Sequence, residues 1–389
     1  STGAAEAHEL RDGDASRYEG LGVLRAVANV NGEIAAALRG SDALEQGRID
    51  EQLIALDGTP QLARLGANAV LAVSLAVCRA AAAASGQQLY QRVAQLCGAT
   101  PLLPLPMTNI LSGGLHAGRG MDVQDFLAMP LRAASFTEAL HLLSRVRNAA
   151  AQVARQHGLP TLLADEGGLG PGLESGAAAL RMMTESIEHA GLRPGEDIGI
   201  AMDVAASTLR DGNRYRFARE GVQRSTAEVM ELLASWVREF PVVSIEDGLD
   251  EEDWSGWSAL TQALGRNVQL VGDDLFGTNP QRLARGIADG AANGVLVKAN
   301  QNGTVSGTLH VIAQARGAGY ATIVSARSGE TEDAFMSDLA VGSAAGQIKI
   351  GSLRTSSTVA KYNQLLRIEE HSGAAYAGTA PLRGFGGRA

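Results

Sequence analysis

Three carboxylates stand at the ends of short apolar runs: Asp203 in IAMDVAAS, Glu246 in VVSIEDGLDEEDW and Asp273 in QLVGDDLFGTNP. Hard oxygen donors brought from separate strand ends suit Mg2+, which takes a few carboxylates, several waters and substrate oxygens. Any one of them alone could equally cap the helix that follows it by accepting from unpaired amides. The joint pattern favours a metal, because two lysines follow in the same register, Lys298 in VLVKANQNGT and Lys349 in GQIKIGS. A lysine after an apolar strand is either a snorkelling surface group or a group held against metal and substrate. In the second case neighbouring positive charge lowers its pKa towards that of a general base.

Three weaker signals accompany these. Asp165 and Glu166 lie in the Gly-rich segment DEGGLGPG, and His116, Gln124 and Asp125 lie in GGLHAGRGMDVQDF. Such loops are often plain turns, and a loop histidine is more often a surface residue than a catalyst. In SARSGETEDAF, Arg327 and Ser328 offer a guanidinium and a hydroxyl suited to a phosphoryl oxygen, although Arg327 could instead pair with Glu330 or Glu332.

The elements that must position these groups read as two blocks. From Val23 to about Gln95 the chain is rich in Ala, Leu, Glu and Arg at helical spacing, broken at Gly32, Gly40, Gly58 and Gly86. Pro101, Pro104 and Pro106 form a stiff connector, which puts a domain boundary near residue 100, with domains 1–100 and 101–389. Beyond it, strands are expected at Thr161 to Leu163, Ile198 to Val204, Val242 to Ile245, Val268 to Val271, Val295 to Val297 and Thr322 to Ser325, between helical stretches. Strand ends about 25 to 45 residues apart fit an α/β barrel whose carboxyl ends converge on one mouth. An open doubly wound sheet fits the alternation too, but no GxGxxG or GxxxxGK[ST] turn occurs.

Composition sets the class. With 389 residues, 45% hydrophobic and 19% charged, the chain is long enough to bury its own core and is not a disordered or collagenous sequence. A net charge of -9 without a basic tract argues against nucleic acid as a partner, and an anionic substrate would need local cations or a metal. The longest apolar run, Ala69 to Cys78, is broken at Ser74 and followed by Arg79, short of the roughly 20 residues of a span. No membrane span is therefore expected. Two cysteines, Cys78 and Cys97, suit a reducing compartment, and no basic segment with an apolar run opens the chain; cytoplasm is the expected location.

The residues quoted above resemble the enolase (phosphopyruvate hydratase) family nearly end to end. LGANAVLAVSLAVCRAAA, GGLHAG, LADEGGLGP, AMDVAAS, SIEDGLDEEDW, VGDDLFGTNP, LVKANQNGT, RSGETED, GQIKIGS and NQLLRIEE follow the family's text in order. The resemblance implies an N-terminal α+β capping domain on an irregular eight-stranded α/β (TIM-like) barrel, whose first strands are not strictly parallel, usually as a homodimer. It places Ser1 in the family's mobile catalytic loop and implies that the first strands of the capping domain are missing from this sequence. By the same resemblance Asp203, Glu246 and Asp273 match the ligands of a structural Mg2+, with a second Mg2+ arriving with substrate. Lys298 matches the base that takes the proton α to the substrate carboxylate, Glu166 the general acid and Lys349 the grip on that carboxylate. Arg327, Ser328 and Ser1 match the positions that hold the phosphate and second metal, and His116 and Gln124 match further pocket positions. The implied substrate is a small phosphorylated or phosphonate carboxylic acid.

Four residues depart from the family's pattern. Ala326 stands in place of a His, Asp125 in place of the Glu that assists the general acid, Leu115 in place of a Ser, and Ala5 where the family often has a His. The expected ligands, base and acid all match while the surroundings of the leaving group and phosphoryl group change. That pattern is most similar to a specialised member such as carboxyphosphonoenolpyruvate synthase of phosphonate biosynthesis. An ordinary glycolytic enolase and a noncatalytic binding or scaffold protein on the same fold are the alternatives, and fold alone does not choose among them.

Overall fold

From residue 105 onward, short apolar strands alternate with amphipathic helices, and in the computed structural model, which describes residues 3–384, they close into a barrel of eight strands. The strands are β1 (Leu105–Ser112), β2 (Asp125–Pro130), β3 (Ile198–Asp203), β4 (Val242–Glu246), β5 (Gln269–Gly272), β6 (Gly294–Val297), β7 (Ala321–Ser325) and β8 (Gly346–Gly351). They are arranged in chain order around the barrel, β8 pairing with β1. β2 is antiparallel to both β1 and β3, and every other pairing is parallel. This is the irregular barrel expected from the resemblance. The reversal of β2 places its first residue, Asp125, at the mouth where β3 to β8 end, directly opposite Asp203 in the register.

Two differences from the sequence reading have local causes. Thr161 to Leu163 is a loop: Leu162 and Leu163 are exposed, and only a single bridge joins Leu163 to Leu169. The place of a second strand is taken by Asp125–Pro130, whose residues are all buried and so give no alternation to read. Likewise β1 includes Pro106, which reads as part of a connector; it sits opposite Ile348 at the start of the strand. Proline has no N–H for the ladder and is tolerated near strand ends.

Layers follow from alternation. Leu105, Met107, Leu127, Val243, Val271, Leu296 and Ile323 form one apolar cluster, and a larger one lies between the strands and the surrounding helices. Helix ends are fixed by short polar side chains; Ser225 and Glu228 form a reciprocal capping box, and Asn279 caps the helix that Pro280 opens. Among the described residues before 100 there are helices and loops only, around a separate cluster that includes Ile34, Leu53, Leu65 and Val70. One helix there, Ala67–Ala84, is 18 residues long and apolar enough, by length and composition, to cross a membrane. Here its Val70, Ser74, Cys78 and Ala81 are buried, and Ser74 Oγ donates to Asp50 at 2.6 Å and accepts from the Val305 amide. Cys78 and Cys97 are both free thiols.

The helical region docks on the barrel through Leu89–Cys97 against Phe335–Gly342. At that joint Asp338 is buried and accepts from the Tyr90 amide and from Gln364 Nε2. Burial pushes its carboxyl from the usual 3.8 up to about 6, against the pull of those donors. The folded value lies above the unfolded one, so the folded chain keeps a proton the unfolded chain gives up. This group's stabilisation is therefore full below pH 3.8 and is lost as pH rises to about 6. Asp338→Asn is expected to remove a fall in stability of order 2 kcal/mol between about pH 4 and pH 7. Urea unfolding of both proteins at the two pH values checks it.

Candidate active site

The barrel register brings the acids together before any side chain is considered. Asp125 pairs with Asp203 and Asp203 with Glu246, so three successive strands each present a carboxylate at the mouth; Ser325 pairs with Lys349 on the other side. A cavity of about 260 Å3 opens there, lined among others by His116, Glu166, Asp203, Lys298, Arg327 and Lys349.

Ammonium groups stand among the carboxylates. Lys349 Nζ donates to Asp203 Oδ2 at 2.9 Å and to both oxygens of Glu246 at 2.9 and 2.8 Å. Lys298 Nζ donates to Asp273 Oδ2 at 2.6 Å, and Gln301 Nε2 donates to the other oxygen at 2.8 Å. All five charged residues are buried, so each pair is held by mutual compensation, and loss of one member of such a pair costs about 3 to 5 kcal/mol. Burial pushes the Asp203 carboxyl up, but the Lys349 ammonium overcomes it and holds it at about 2. Burial, with Asp203 alongside, drives Glu246 well above the carboxylate range. Burial lowers Lys298, but the neighbouring acids, Asp273 foremost and then Glu246, more than restore it, so Lys298 is shifted up. The ion pair with Asp273 accounts for this direction, whereas the lowering expected from the sequence belongs to the lysine beside bound metal and substrate.

A second cluster surrounds Glu166, which is carried on the loop before Gly167 and Gly168. His116 Nδ1 lies 3.1 Å from Asp125 Oδ2 and 3.8 Å from Glu166 Oε1. Asn109 Nδ2 donates to Asp125 Oδ1 at 2.7 Å and to Glu166 Oε2 at 3.3 Å. Burial, then the Asp125 charge, raises the Glu166 pKa, which favours the protonated form a general acid needs. Burial lowers His116, but the hydrogen bond and charge of Asp125 together with the charges of Glu166 and Asp203 outweigh it and the imidazole is shifted up.

The fit to Mg2+ rests on the donor set. Asp203, Glu246 and Asp273 offer hard oxygens, and Gln124 Oε1 is buried without a hydrogen-bond partner while its Nε2 donates to Asp203 Oδ2 at 3.1 Å. Asp273 also belongs to a second group, with oxygens of Asp247, Asp273 and Asp274 within 4.8 Å of one another, as are ligand atoms of His116, Asp125 and Glu166. Asp247 is already engaged, accepting from the amides of Asp273 and Asp274 at 2.9 Å each, and so it shapes the turn that aims Asp273. Its own φ of 43° is in the left-handed region, a local strain characteristic of functional sites.

Arg327 pairs with neither acid that the sequence put forward. Its Nη1 donates to Glu6 Oε2 at 2.6 Å, while Glu330 Oε1 accepts from its backbone amide and Glu330 pairs with Lys361. Ser328 lines the same cavity, and Ala326, 8% exposed, lies in its wall. Leu115 does not: it is 47% exposed and lines a different cavity. Ala5 packs beside Gly277, and Asp165 is exposed. Ser1 lies outside the described residues. Asn109, Asp247, Gln301 and Glu6 were not foreseen. Asn109 had a signal, a polar residue inside the apolar run LPMTNILS, which is costly to bury without a partner.

With this geometry in place, comparison with protein families is decisive. The family model described as enolase, N-terminal domain, matches residues 1–93, and that described as enolase, C-terminal TIM barrel domain, matches residues 100–383. The chain belongs to the enolase family. Both domains are those of an enolase-superfamily enzyme of the lyase class. Enolases are generally Mg-dependent and act on small phosphorylated carboxylic acids, in keeping with acids and cations gathered at one mouth.

Proposed function

We propose that the chain is a Mg2+-dependent enzyme that removes the proton α to the carboxylate of a 2-phosphoglycerate-type substrate and eliminates at C3. The observation that supports this reading is that Lys298 and Glu166 line one cavity with the carboxylates of Asp203 and Asp273, with Glu246 opposite Asp203 in the register and sharing Lys349 with it. Lys298 takes the C2 proton; to do so it must leave Asp273, whose charge keeps it protonated in the ion pair. Glu166 then gives a proton to the leaving C3 hydroxyl, which departs as water, with Asp125, His116 and Asn109 holding its carboxyl in place. Lys349 grips the substrate carboxylate, and Arg327 and Ser328 receive the phosphoryl group. Bound Mg2+, held by Asp203, Glu246 and Asp273, supplies positive charge against the developing negative charge of the substrate, with a second ion expected to arrive with substrate.

Within that chemistry we propose a specialised substrate, of the carboxyphosphonoenolpyruvate synthase type. Ala326 supports this: a buried methyl stands in the cavity wall next to the guanidinium, where the family pattern has an imidazole. Incubation with Mg2+, 2-phosphoglycerate and phosphonoformate or its cytidylyl ester, followed by phosphorus NMR, tests it. The expected result is an enolpyruvate that carries the carboxyphosphonate on its C2 oxygen, formed with loss of water from C3 and with the displaced phosphate leaving as inorganic phosphate, or as cytidine diphosphate when the ester is the donor. Conversion of 2-phosphoglycerate to phosphoenolpyruvate alone, at about 10 per second or more, would instead establish the glycolytic reaction.

The departures give a sharper expectation. Ala326→His with Asp125→Glu should raise 2-phosphoglycerate turnover by about tenfold or more, because both restore polar contacts that strengthen as charge develops. Each change alone should do less, since groups acting as a unit are not additive. Leu115→Ser should leave that rate within about twofold of the unaltered chain, because Leu115 does not face the cavity. Steady-state rates of these four variants and of the unaltered chain check both statements.

A further inference from the structure

The loop from Gly113 to Gln124 has two faces. One carries His116 to the cavity just described, and the other carries Leu115 and Arg119 to a separate cavity of about 340 Å3. The far wall of that second cavity is the three-stranded ribbon made by Arg210–Asp211, Arg214–Phe217 and Val222–Arg224. The two cavities share no lining residue.

Arg119, Arg210 and Arg216 line the second cavity, and among the described residues none of them forms an ion pair. The acids that also line it are occupied: Asp122 accepts from the Arg219 amide through both oxygens at 3.1 and 3.0 Å, and Asp211 accepts from Gln223 Nε2 at 3.0 Å. Three guanidiniums against two carboxylates leave a local excess of one positive charge there, on a chain whose net charge is -9. The fold also fixes the backbone that carries these arginines, and it packs one guanidinium. Arg210 lies over the ring of buried Tyr215 at 5.1 Å, and Arg216 is in the middle strand of the ribbon, opposite Gln223. Arg119 has a φ of 58°, a left-handed conformation that a non-glycine residue adopts only against a steric cost, held by its amide donating to the Gly114 carbonyl at 2.6 Å. Beside these charges the cavity has an apolar side, with Met121 and Leu209 buried and Leu115 47% exposed.

We propose that this cavity binds a phosphate monoester, the phosphate among the guanidiniums of Arg119, Arg210 and Arg216 and the organic body against Leu115, Met121 and Leu209. Guanidinium forks match phosphate oxygens in pairs, and a leucine left half-exposed beside them gives an organic body an apolar surface that water does not favour. The volume is within the range of small-molecule sites. The site stands on residues outside the reaction cavity and does not depend on the reaction proposed above.

Isothermal titration calorimetry of the full chain with adenosine 5′-monophosphate, and separately with inorganic phosphate, tests this. Arg327→Gln serves as the background, so that the reaction cavity contributes no guanidinium. In that background the monophosphate is expected to bind at one site and more tightly than inorganic phosphate. Adding Arg210→Gln and Arg216→Gln should weaken it by at least about tenfold, whereas adding Arg39→Gln, an exposed arginine in the helical region, should not. Equal binding by the Arg210/Arg216 variant and its background would overturn the proposal. So would inorganic phosphate binding as tightly as the ester, which would leave the apolar wall without a role, or equal weakening by Arg39→Gln, which would reduce the effect to net charge.

Discussion

Lys298→Ala is expected to slow exchange of the substrate α-proton with solvent deuterium by about a thousandfold, while Glu166→Gln leaves exchange within about tenfold and blocks elimination. The separation follows from where the two groups sit. Lys298 directly follows β6 and pairs with Asp273, whereas Glu166 is held on its loop by Asn109 and His116 and shares no hydrogen bond with Lys298. Removing the acid therefore leaves the base and its carboxylate in place. Proton NMR in deuterium oxide reads exchange, and a coupled assay reads elimination. Equal loss of exchange in both folded variants would contradict the assignment of base and acid.

The second large effect concerns metal. Excess chelator is expected to abolish turnover, with return on added Mg2+, and Asp203→Asn and Asp273→Asn should each lower turnover by about a hundredfold or more at saturating Mg2+. Asn is chosen over Ala because Lys349 and Lys298 are buried against these carboxylates, and an oxygen acceptor must remain for each ammonium. Loss of the acid's charge also frees the paired lysine from its strongest partner, so circular dichroism must accompany the kinetics. Undiminished turnover in excess chelator would remove the metal from the account.

What could be read in the sequence, and what could not, divides along a physical line. Asp203, Glu246, Asp273, Lys298 and Lys349 were visible because parallel strands end at one mouth, so a charged residue after an apolar run declares its own location. Asp125 begins its strand, and only the reversal of β2, a matter of pairing between distant segments, carries it to that mouth. β1 and β2 are hard to read in the sequence because they are buried along their whole length and show no alternation. Thr161 to Leu163 was read as a strand on apolar content, but no neighbouring strand pairs along it.

Pairing of side chains was the least legible layer. The sequence offered Glu330 and Glu332 to Arg327, and the fold supplies Glu6, 321 positions away. The upward shift of Lys298 has the same origin, because its direction is set by a carboxylate on the neighbouring strand end rather than by its own segment. Leu115 looked like a change in the reaction cavity because it adjoins His116, yet adjacent residues on this loop face different cavities.

The central claim, that this chain takes a proton from the carbon next to a carboxylate, is tested most directly on the unaltered protein. The measurement is the rate at which the C2 proton of 2-phosphoglycerate is replaced in deuterium oxide with Mg2+ present, followed by proton NMR. Exchange that is Mg-dependent and proceeds even where net elimination is slow is the predicted result. No exchange above the protein-free rate, from a chain shown to be folded and metal-loaded, would contradict the account and leave a noncatalytic protein on the enolase fold.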